Sequence, residues 1–189
     1  MKIIERHIAS RQDVWRRNAF FQILRAEDDV AFLREFARRL TFWPLAFQDV
    51  LRILSETVHE TALNLIARHH AAEDRDHDLW FLHDLQALGA RVPNVDALFR
   101  TDHDPARRAA YTIVAEALGA KTGASKVVVL LALESTGHVF FTETAAFVRR
   151  RGCEGLKYFS EHHLAVEKSH AVFEERAMDM LRKIRLDDA

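Results

Sequence analysis

The order of polar and hydrophobic positions predicts helices along almost the whole chain. Hydrophobic side chains recur at spacings of three and four residues, as on one face of an α-helix, and β-branched runs typical of strands are few. Only 3 prolines and 6 glycines interrupt the 189 residues. We therefore predict an all-α protein, a bundle of about seven helices that forms a single domain over residues 1–189.

Capping and breaking residues set the expected limits of these helices. Ser10 is expected to cap the first helix, the acidic pair at 28–29 to open the second, and Gly89 to end the third. Pro44 suits the first turn of the long third pattern, and the clearest loop covers residues 90–104. The expected helices are 11–24, 28–40, 44–88 (with or without a short break after residue 69), 106–118, 125–150 and 154–182.

Composition and charge argue against several classes of protein. Because 27 lysine and arginine residues face 28 aspartate and glutamate residues, the formal net charge is −1, which argues against a nucleic-acid partner. The single cysteine, Cys153, rules out a disulfide framework and fits a reducing, cytoplasmic compartment. The charged start of the chain is unlike a signal peptide, and the longest apolar run, residues 127–133, is far shorter than the roughly 20 residues of a membrane span. We therefore expect no membrane association.

Histidine is the residue type in excess, with 11 copies in the chain, and three segments place it next to carboxylates. In the last predicted helix, His163, Glu167 and His170 fall on one face over two turns, together with Phe159 and Phe173. Burying a carboxylate beside imidazoles is costly unless a strong partner compensates. A divalent metal bound by all three side chains would be such a partner. A buried hydrogen-bond network of glutamate and histidine is the alternative.

A second inward-facing carboxylate is predicted in the helix over 125–150. The run 127–133 is wholly apolar and is followed directly by Glu134, which shares its helix face with Phe141. Since a carboxylate in such surroundings is rarely unpaired, Glu134 is a candidate metal ligand. The alternatives are a position at the bundle end, where it reaches water, or a pair with an arginine. His138, one turn later, is a candidate ligand or a hydrogen-bond partner of one.

The third segment, residues 68–89, is rich in both histidine and acidic residues. His70, Asp74 and His77 share the helix face that hydrophobic residues further along would bury, and Glu73 lies on the rim of that face. Because the segment is dense in charge, a solvated surface is an equally good interpretation of any one of these residues.

Three predicted helices thus each offer an inward-facing carboxylate, an inward-facing histidine or both. The donor atoms are nitrogen and oxygen without sulfur, a set that suits iron or manganese. A site so rich in carboxylates favours two metal ions rather than one. Open coordination positions on such iron are where O2 would bind.

The same three segments resemble the haem-oxygenase-like diiron oxidases and oxygenases. The strongest part is LKYFSEHHLAVEKSH, at 156–170, which is similar to the family's aromatic-rich entry followed by His-x3-Asp-x2-His. The ALES sequence that contains Glu134 resembles the family's helix with a single glutamate ligand. HDLWFLHDLQALG, at 77–89, resembles the family's histidine followed by an amphipathic stretch that ends in glycine. The resemblance covers about residues 43–177, the expected metal-binding core.

This resemblance implies a fold, a cofactor and a reaction class. The fold is the helical one shared by haem oxygenase and the TenA-type thiaminases, and the cofactor is non-haem Fe(II), as a pair of ions. The reaction is an O2-dependent oxidation of a small organic substrate such as an amino acid, an amine or a fatty acid, carried out by a homodimer. The metal ligands that it implies are His77, Glu134, His163, Glu167 and His170.

Two positions depart from the family's pattern. Glu167 stands where the family usually has aspartate, which keeps the charge and lengthens the side chain. The family also places a glutamate seven or three residues before the first histidine, where this chain has His70 and Asp74. We rank Asp74 first as the remaining ligand because metal bridging favours a carboxylate, then His70, then Glu73.

Four other functions stand as alternatives. A ferritin-like iron protein would use the segments 74–77 and 167–170 in place of its Glu-x2-His pairs. A metal-free TenA-like hydrolase would use Cys153 as its nucleophile. A binding or dimerisation bundle would keep the inward polar residues only as a hydrogen-bond network, and haem binding through His7 is the fourth alternative.

Overall fold

The computed structural model describes residues 2–166, and these fold almost entirely into α-helices. No β-strand occurs among them, which confirms the predicted all-helical bundle. The helices are α1 (Lys2–Arg16), α2 (Ala19–Ala26), α3 (Val30–Leu40), α4 (Phe42–Thr57), α5 (Thr61–Glu73), α6 (His77–Ala87), α7 (Val95–Leu98), α8 (Asp104–Gly119) and α9 (Gly123–Arg150). A 3-10 turn, Thr101–His103, lies between α7 and α8, and residues 161–166 are helical again.

The first predicted helix has the wrong limits. α1 runs through Ser10, which therefore does not cap it. Asn18 separates α1 from α2, because its side-chain oxygen accepts a hydrogen bond from the backbone N–H of Phe20 at 2.9 Å. In the same way, Asp29 accepts a hydrogen bond from the N–H of Ala31 at 2.8 Å and caps α3, as predicted.

The third predicted helix, 44–88, is divided in the structure into α4, α5 and α6. The chain turns at 58–60 and 74–76, where the sequence has neither proline nor glycine. Asp76, just before α6, has a φ of 70°, in the left-handed region that aspartate tolerates better than most residues. Pro44 lies in the first turn of α4, and Gly89, with a φ of 77°, follows the end of α6, both as predicted.

The last predicted helix begins later than the sequence indicates. Residues 154–160 form turns, and the helix starts only at residue 161. Gly152 and Gly155 have φ values of 61° and 85°, left-handed conformations that interrupt a right-handed helix. Phe159, expected on a helix face, is wholly buried but lies in these turns. The remainder of that prediction, 167–182, lies outside the described residues.

The centre of the described bundle is α9, which packs against α1, α2, α4, α5 and α8. Its residue Phe147 joins Phe81 and Phe159 in the largest hydrophobic cluster, where all three side chains are wholly buried. Two smaller hydrophobic clusters lie where α9 meets α5 and where it meets α4 and α8. Glu134, in the middle of α9, thus lies on a helix that hydrophobic contacts surround.

By length and composition alone, α9 is also the one helix of the described chain that is apolar enough to cross a membrane. Its most apolar window has a mean hydropathy of 1.3. Core helices of globular proteins meet the same test, and the five helices packed against α9 agree with that explanation. The absence of membrane association therefore stays a prediction.

Candidate metal centre

Three polar side chains from two distant segments meet inside the bundle: His70, Asp74 and Glu134. The His70 Nε2 atom lies 2.9 Å from Asp74 Oδ2 and 3.0 Å from Glu134 Oε1. One donor atom from each residue lies within 4.8 Å of the other two, close enough to hold one metal ion. The exposed fractions of the three side chains are 4%, 3% and 10%. These residues are named here the His70–Asp74–Glu134 cluster.

Helix geometry and one contact with a distant segment of the same chain position Asp74. His70 and Asp74 are four residues apart at the end of α5, so their side chains lie on the same face. The N–H of Asp74 donates to the His70 carbonyl oxygen at 3.0 Å, and its own carbonyl oxygen accepts a hydrogen bond from Gln48 Nε2 at 2.9 Å. Gln48 thereby ties α4 to the turn after α5. Glu134 completes the cluster from α9, which packs against α5.

His77 extends the cluster from the start of α6. Its Nδ1 lies 3.1 Å from Asp74 Oδ1, so each oxygen of the Asp74 carboxylate contacts a different histidine. The left-handed Asp76 changes the direction of the chain between α5 and α6, and His77 can therefore return toward Asp74. The Nε2 atom of His77 is buried and has no hydrogen-bond partner within the described chain. Because such an atom is costly to leave unsatisfied, it marks a position where a metal ion or another ligand would bind.

His163 lies next to His77 and is 1% exposed, with the two ring centres 4.4 Å apart. Its Nδ1 lies 3.0 Å from the carbonyl oxygen of Tyr158. Since a carbonyl oxygen only accepts, Nδ1 carries the proton and Nε2 carries the lone pair. Burial and the neighbouring His77 lower the pKa of His163 to about 3, so the imidazole is neutral at pH 7. A neutral imidazole, with the lone pair on one ring nitrogen, is the form that binds metals.

In the metal-free cluster His70 favours its positively charged form and Asp74 its negatively charged form. Burial lowers the pKa of His70, but the hydrogen bonds and charges of Asp74 and Glu134 outweigh burial and raise that pKa well above its usual value. Burial alone would raise the pKa of Asp74. The contacts with His70 and His77 outweigh the effect of burial, so the pKa of Asp74 lies below its usual range. Asp74 is therefore ionised and stabilised by positive charge, a role that a bound cation also fills.

The donor set of the cluster fits a divalent metal ion. Imidazole nitrogen and carboxylate oxygen without sulfur are the ligands of non-haem iron and manganese. Two ligand atoms bound at right angles to one ion at about 2.1 Å lie about 3 Å apart. The separations of 2.9 and 3.0 Å around His70 Nε2 are hydrogen-bond lengths, and a bound ion would keep the same spacing between the ligand atoms. The orphaned Nε2 of His77 adds a further donor next to the cluster.

Most of the predicted metal ligands lie in or beside this cluster. The described ones are His70, Asp74, His77, Glu134 and His163. The other two, Glu167 and His170, lie outside the described residues. Of the three candidates for the position upstream of His77, Asp74 and His70 both belong to the cluster. Glu73 instead lies with its Oε1 atom 3.3 Å from His69 Nε2.

Three residues that shape the site were not among the predicted ones. Trp80 stacks on His77 with ring centres 4.4 Å apart, and its position one turn after His77 was a usable signal. Gln48 acts through its side-chain amide and Tyr158 through its backbone carbonyl oxygen, each on a different segment of the chain. No local spacing pattern indicates such contacts, so the sequence alone does not reveal these two.

Comparison with protein-family models, with curated proteins and with solved structures found no match to this chain. The family resemblance of the three segments therefore stays a prediction. A functional proposal has to rest on the arrangement of the side chains themselves.

Proposed function

We propose that this protein is a non-haem iron enzyme that uses O2 to oxidise a small organic substrate. The observation that carries the proposal is the buried meeting of His70 with the carboxylates of Asp74 and Glu134. Two carboxylates buried at one point are costly unless positive charge compensates them. The charged His70 supplies it in the metal-free chain, and a divalent cation that displaces the His70 proton would supply it in the loaded protein. The nitrogen and oxygen donors favour iron, with manganese as the second choice.

The chain's own residues divide the work of such a site. His70, Asp74 and Glu134 would hold the iron, which when bound supplies redox chemistry and a coordination position for O2. His77 and His163 lie beside the cluster and would contribute further nitrogen donors, while the sequence predicts two ions without dividing the ligands between them. The burial of these side chains keeps bulk water away from the donor atoms.

The surroundings of the donors favour an organic substrate. The ring of Phe141 lies against His163 with centres 3.7 Å apart, and Trp80 stacks on His77. Together they form an aromatic side to the site, which suits the apolar part of an amino acid, an amine or a fatty acid.

Anaerobic loading of the full chain with Fe(II) tests the metal part of the proposal. We expect the wild type to retain at least one equivalent after desalting and Asp74→Asn to lose most of it, because the amide removes a charged ligand. Glu73→Gln is the matched control, since Glu73 is the neighbouring carboxylate and pairs with His69. Iron retention by neither wild type nor control, or equal retention by Asp74→Asn, would contradict the proposal.

Exposure of the iron-loaded protein to O2 tests the enzymatic part. We expect O2 consumption faster than that of free Fe(II) and a transient optical signal, both reduced in Glu134→Gln. Iron that accumulates in large soluble cores would instead support the ferritin-like alternative. Bound iron that leaves O2 untouched would contradict an oxidase.

The structure weighs against the alternative of a cysteine hydrolase. Burial raises the pKa of Cys153, and the charge of Arg151 only partly opposes it, so the thiol stays protonated at neutral pH. The Sγ atom lies 4.0 Å from the carbonyl oxygen of Arg151, which is not a base that could activate it.

His7, the candidate for haem binding, is exposed on α1.

A further inference from the structure

Asp84 is a wholly buried carboxylate on α6, two turns after His77. Its Oδ1 accepts a hydrogen bond from the backbone N–H of Lys157 at 2.7 Å, and its Oδ2 accepts one from the N–H of Phe159 at 3.0 Å. The Nδ1 atom of His83, a side chain that is 47% exposed, lies 3.0 Å from Oδ1. Both oxygens of one carboxylate are thus used to hold a turn that lies far away in the sequence.

This contact fixes the turn to α6. A carboxylate with no exposed surface requires hydrogen bonds that satisfy its oxygens, and short bonds from backbone N–H groups do so with little freedom of geometry. The buried side chains of Leu156, Tyr158 and Phe159 hold the same turn from the core side. The backbone from 157 to 159 is therefore constrained by both polar and apolar contacts.

The constraint reaches His163 through a single residue. Tyr158 lies between the two residues whose N–H groups Asp84 binds, and its carbonyl oxygen accepts the hydrogen bond from His163 Nδ1 at 3.0 Å. The direction of that carbonyl determines which nitrogen of His163 carries the proton. His163 in turn lies against His77, which contacts the Asp74 carboxylate.

We propose that Asp84 is a positioning residue: it holds the turn at 157–159 so that Tyr158 keeps His163 in the tautomer with its lone pair on Nε2. The tautomer itself concerns the metal-free chain. Its consequence for metal binding rests on the proposed function, in which His163 is a ligand. Outer partners that orient a metal-binding histidine typically change metal affinity by about 10–100-fold.

The tautomer of His163 can be measured in the metal-free full-length protein. Histidine-specific 15N labelling and long-range 1H–15N correlation spectra report which ring nitrogen carries the proton, with His163→Gln for assignment. We expect the wild type to show the Nδ1–H form. Asp84→Asn should lose it, because the amide offers one acceptor and turns its NH2 group toward the other backbone N–H. His83→Ala, which removes only the exposed partner of Asp84, is the matched control and should leave the tautomer unchanged.

Metal affinity tests the consequence and separates it from simple destabilisation. Well below the melting temperature of each variant, Asp84→Asn should bind Co(II) or Fe(II) about 10–100-fold more weakly than wild type and His83→Ala about equally. If Asp84 acts through His163, adding Asp84→Asn to His163→Gln should cause no further loss. A merely structural role would lower the melting temperature and leave affinity, tautomer and Co(II) spectrum unchanged.

The outcomes separate this proposal from the function it deepens. An unchanged tautomer in folded Asp84→Asn, or an additive loss of affinity in the double variant, overturns the role of Asp84 and leaves the metal site standing. A wild type that binds no metal overturns the proposed function, and the tautomer still decides whether Asp84 positions His163. If Asp84→Asn does not fold, Lys157→Pro removes one N–H donor to the same carboxylate and takes its place in each measurement.

Discussion

The buried histidines of this protein differ in the partner that holds each ring, and the partner determines the chemistry. The Tyr158 carbonyl oxygen keeps His163 in one neutral tautomer, whereas two carboxylates favour the charged form of His70. His103 is also buried, with a hydrogen bond to the backbone of Arg39, and it lies in the 3-10 turn that packs against α3 and α8. In the metal-free chain, His163 is thus a neutral candidate ligand, His70 a member of an ion pair, and His103 part of the packed interior.

His103→Gln should remove part of the protein's sensitivity to acid. Burial, helped by the charges of Arg38 and Arg107, lowers the pKa of His103, although the Arg39 backbone and Asp102 act in the opposite direction. The unfolded histidine takes up a proton as the pH falls through about 6.5 and the folded one does not, so stability is lost as the pH falls. Urea unfolding at about pH 7.5 and 5.5 should show a smaller loss for the variant than for wild type. Equal losses would contradict this.

Helix ends carry contacts that set the register of the site. The Glu60 carboxylate, just before α5, accepts a hydrogen bond from the N–H of Gly123 at the start of α9, at 3.0 Å. The Nζ of Lys126 donates to the carbonyl oxygen of Thr57 at 3.2 Å. These two bonds tie the turn between α4 and α5 to the first turn of α9. They therefore help to fix the position of Glu134 along the bundle axis.

Gly123→Ala should be less stable than Gly119→Ala by about 0.5–1 kcal/mol, since the exposed Glu60 side chain can move away at little cost but gives up a hydrogen bond. A Cβ atom at this position would lie 2.0 Å from Glu60 Oε2, so the carboxylate would have to move and its bond to the Gly123 N–H would be lost. Gly119→Ala, at the end of α8, is the matched control, because nothing lies within 4 Å of its Cβ position. Denaturant unfolding measures both. On a Glu60→Ala background the Gly123→Ala loss should largely vanish, and a persistent full loss would point to another cause.

The turn between α5 and α6 gives a second test of backbone geometry. Asp76 has a φ of 70°, which disfavours any residue with a Cβ and suits glycine. Asp76→Gly should therefore be more stable than Asp76→Ala by about 1 kcal/mol in thermal or chemical unfolding. Equal stability of the two variants would show that this conformation is not maintained in solution.

The sequence predicted those parts of the site that follow helix periodicity. The apolar run before Glu134 and the four-residue spacing of His70 and Asp74 are local patterns, and they indicated inward-facing side chains correctly. The breaks at 58–60 and 74–76 carry no proline or glycine, so nothing local marked them. The turns after α9 depend partly on contacts with α6, and such contacts between distant segments have no signature in spacing.

The His70–Asp74–Glu134 cluster joins two parts of the bundle that are far apart in the sequence. His70 and Asp74 come from the end of α5, Glu134 comes from the middle of α9, and His77 adds the start of α6. The unfolded chain does not bring these residues together, so an ion bound here would favour the folded state alone.

Fe(II) or Mn(II) should accordingly raise the melting temperature of the wild type. A ligand that binds only the folded chain stabilises it by mass action, by about 2.7 kcal/mol at a free concentration 100 times its Kd. Scanning calorimetry with metal and with chelator measures the shift. Asp74→Asn should lose the response and Glu73→Gln should keep it, since Glu73 lies beside His69. A shift of equal size in Asp74→Asn would place the ion elsewhere.

The position of the cluster between α5 and α9 has a kinetic consequence for the proposed metalloprotein. Separation of these two helices would release the ion, because its ligands belong to both. Loss of the ion would leave the helices held by the hydrophobic contacts and the His70–Glu134 contact. Amide protons in the last turn of α5 and the middle of α9 would then exchange with solvent at a shared rate, slow with metal and faster without it, while those of α3 kept their own rate. When metal is scarce, this helix pair would open more often, and proteases would cleave the protein faster.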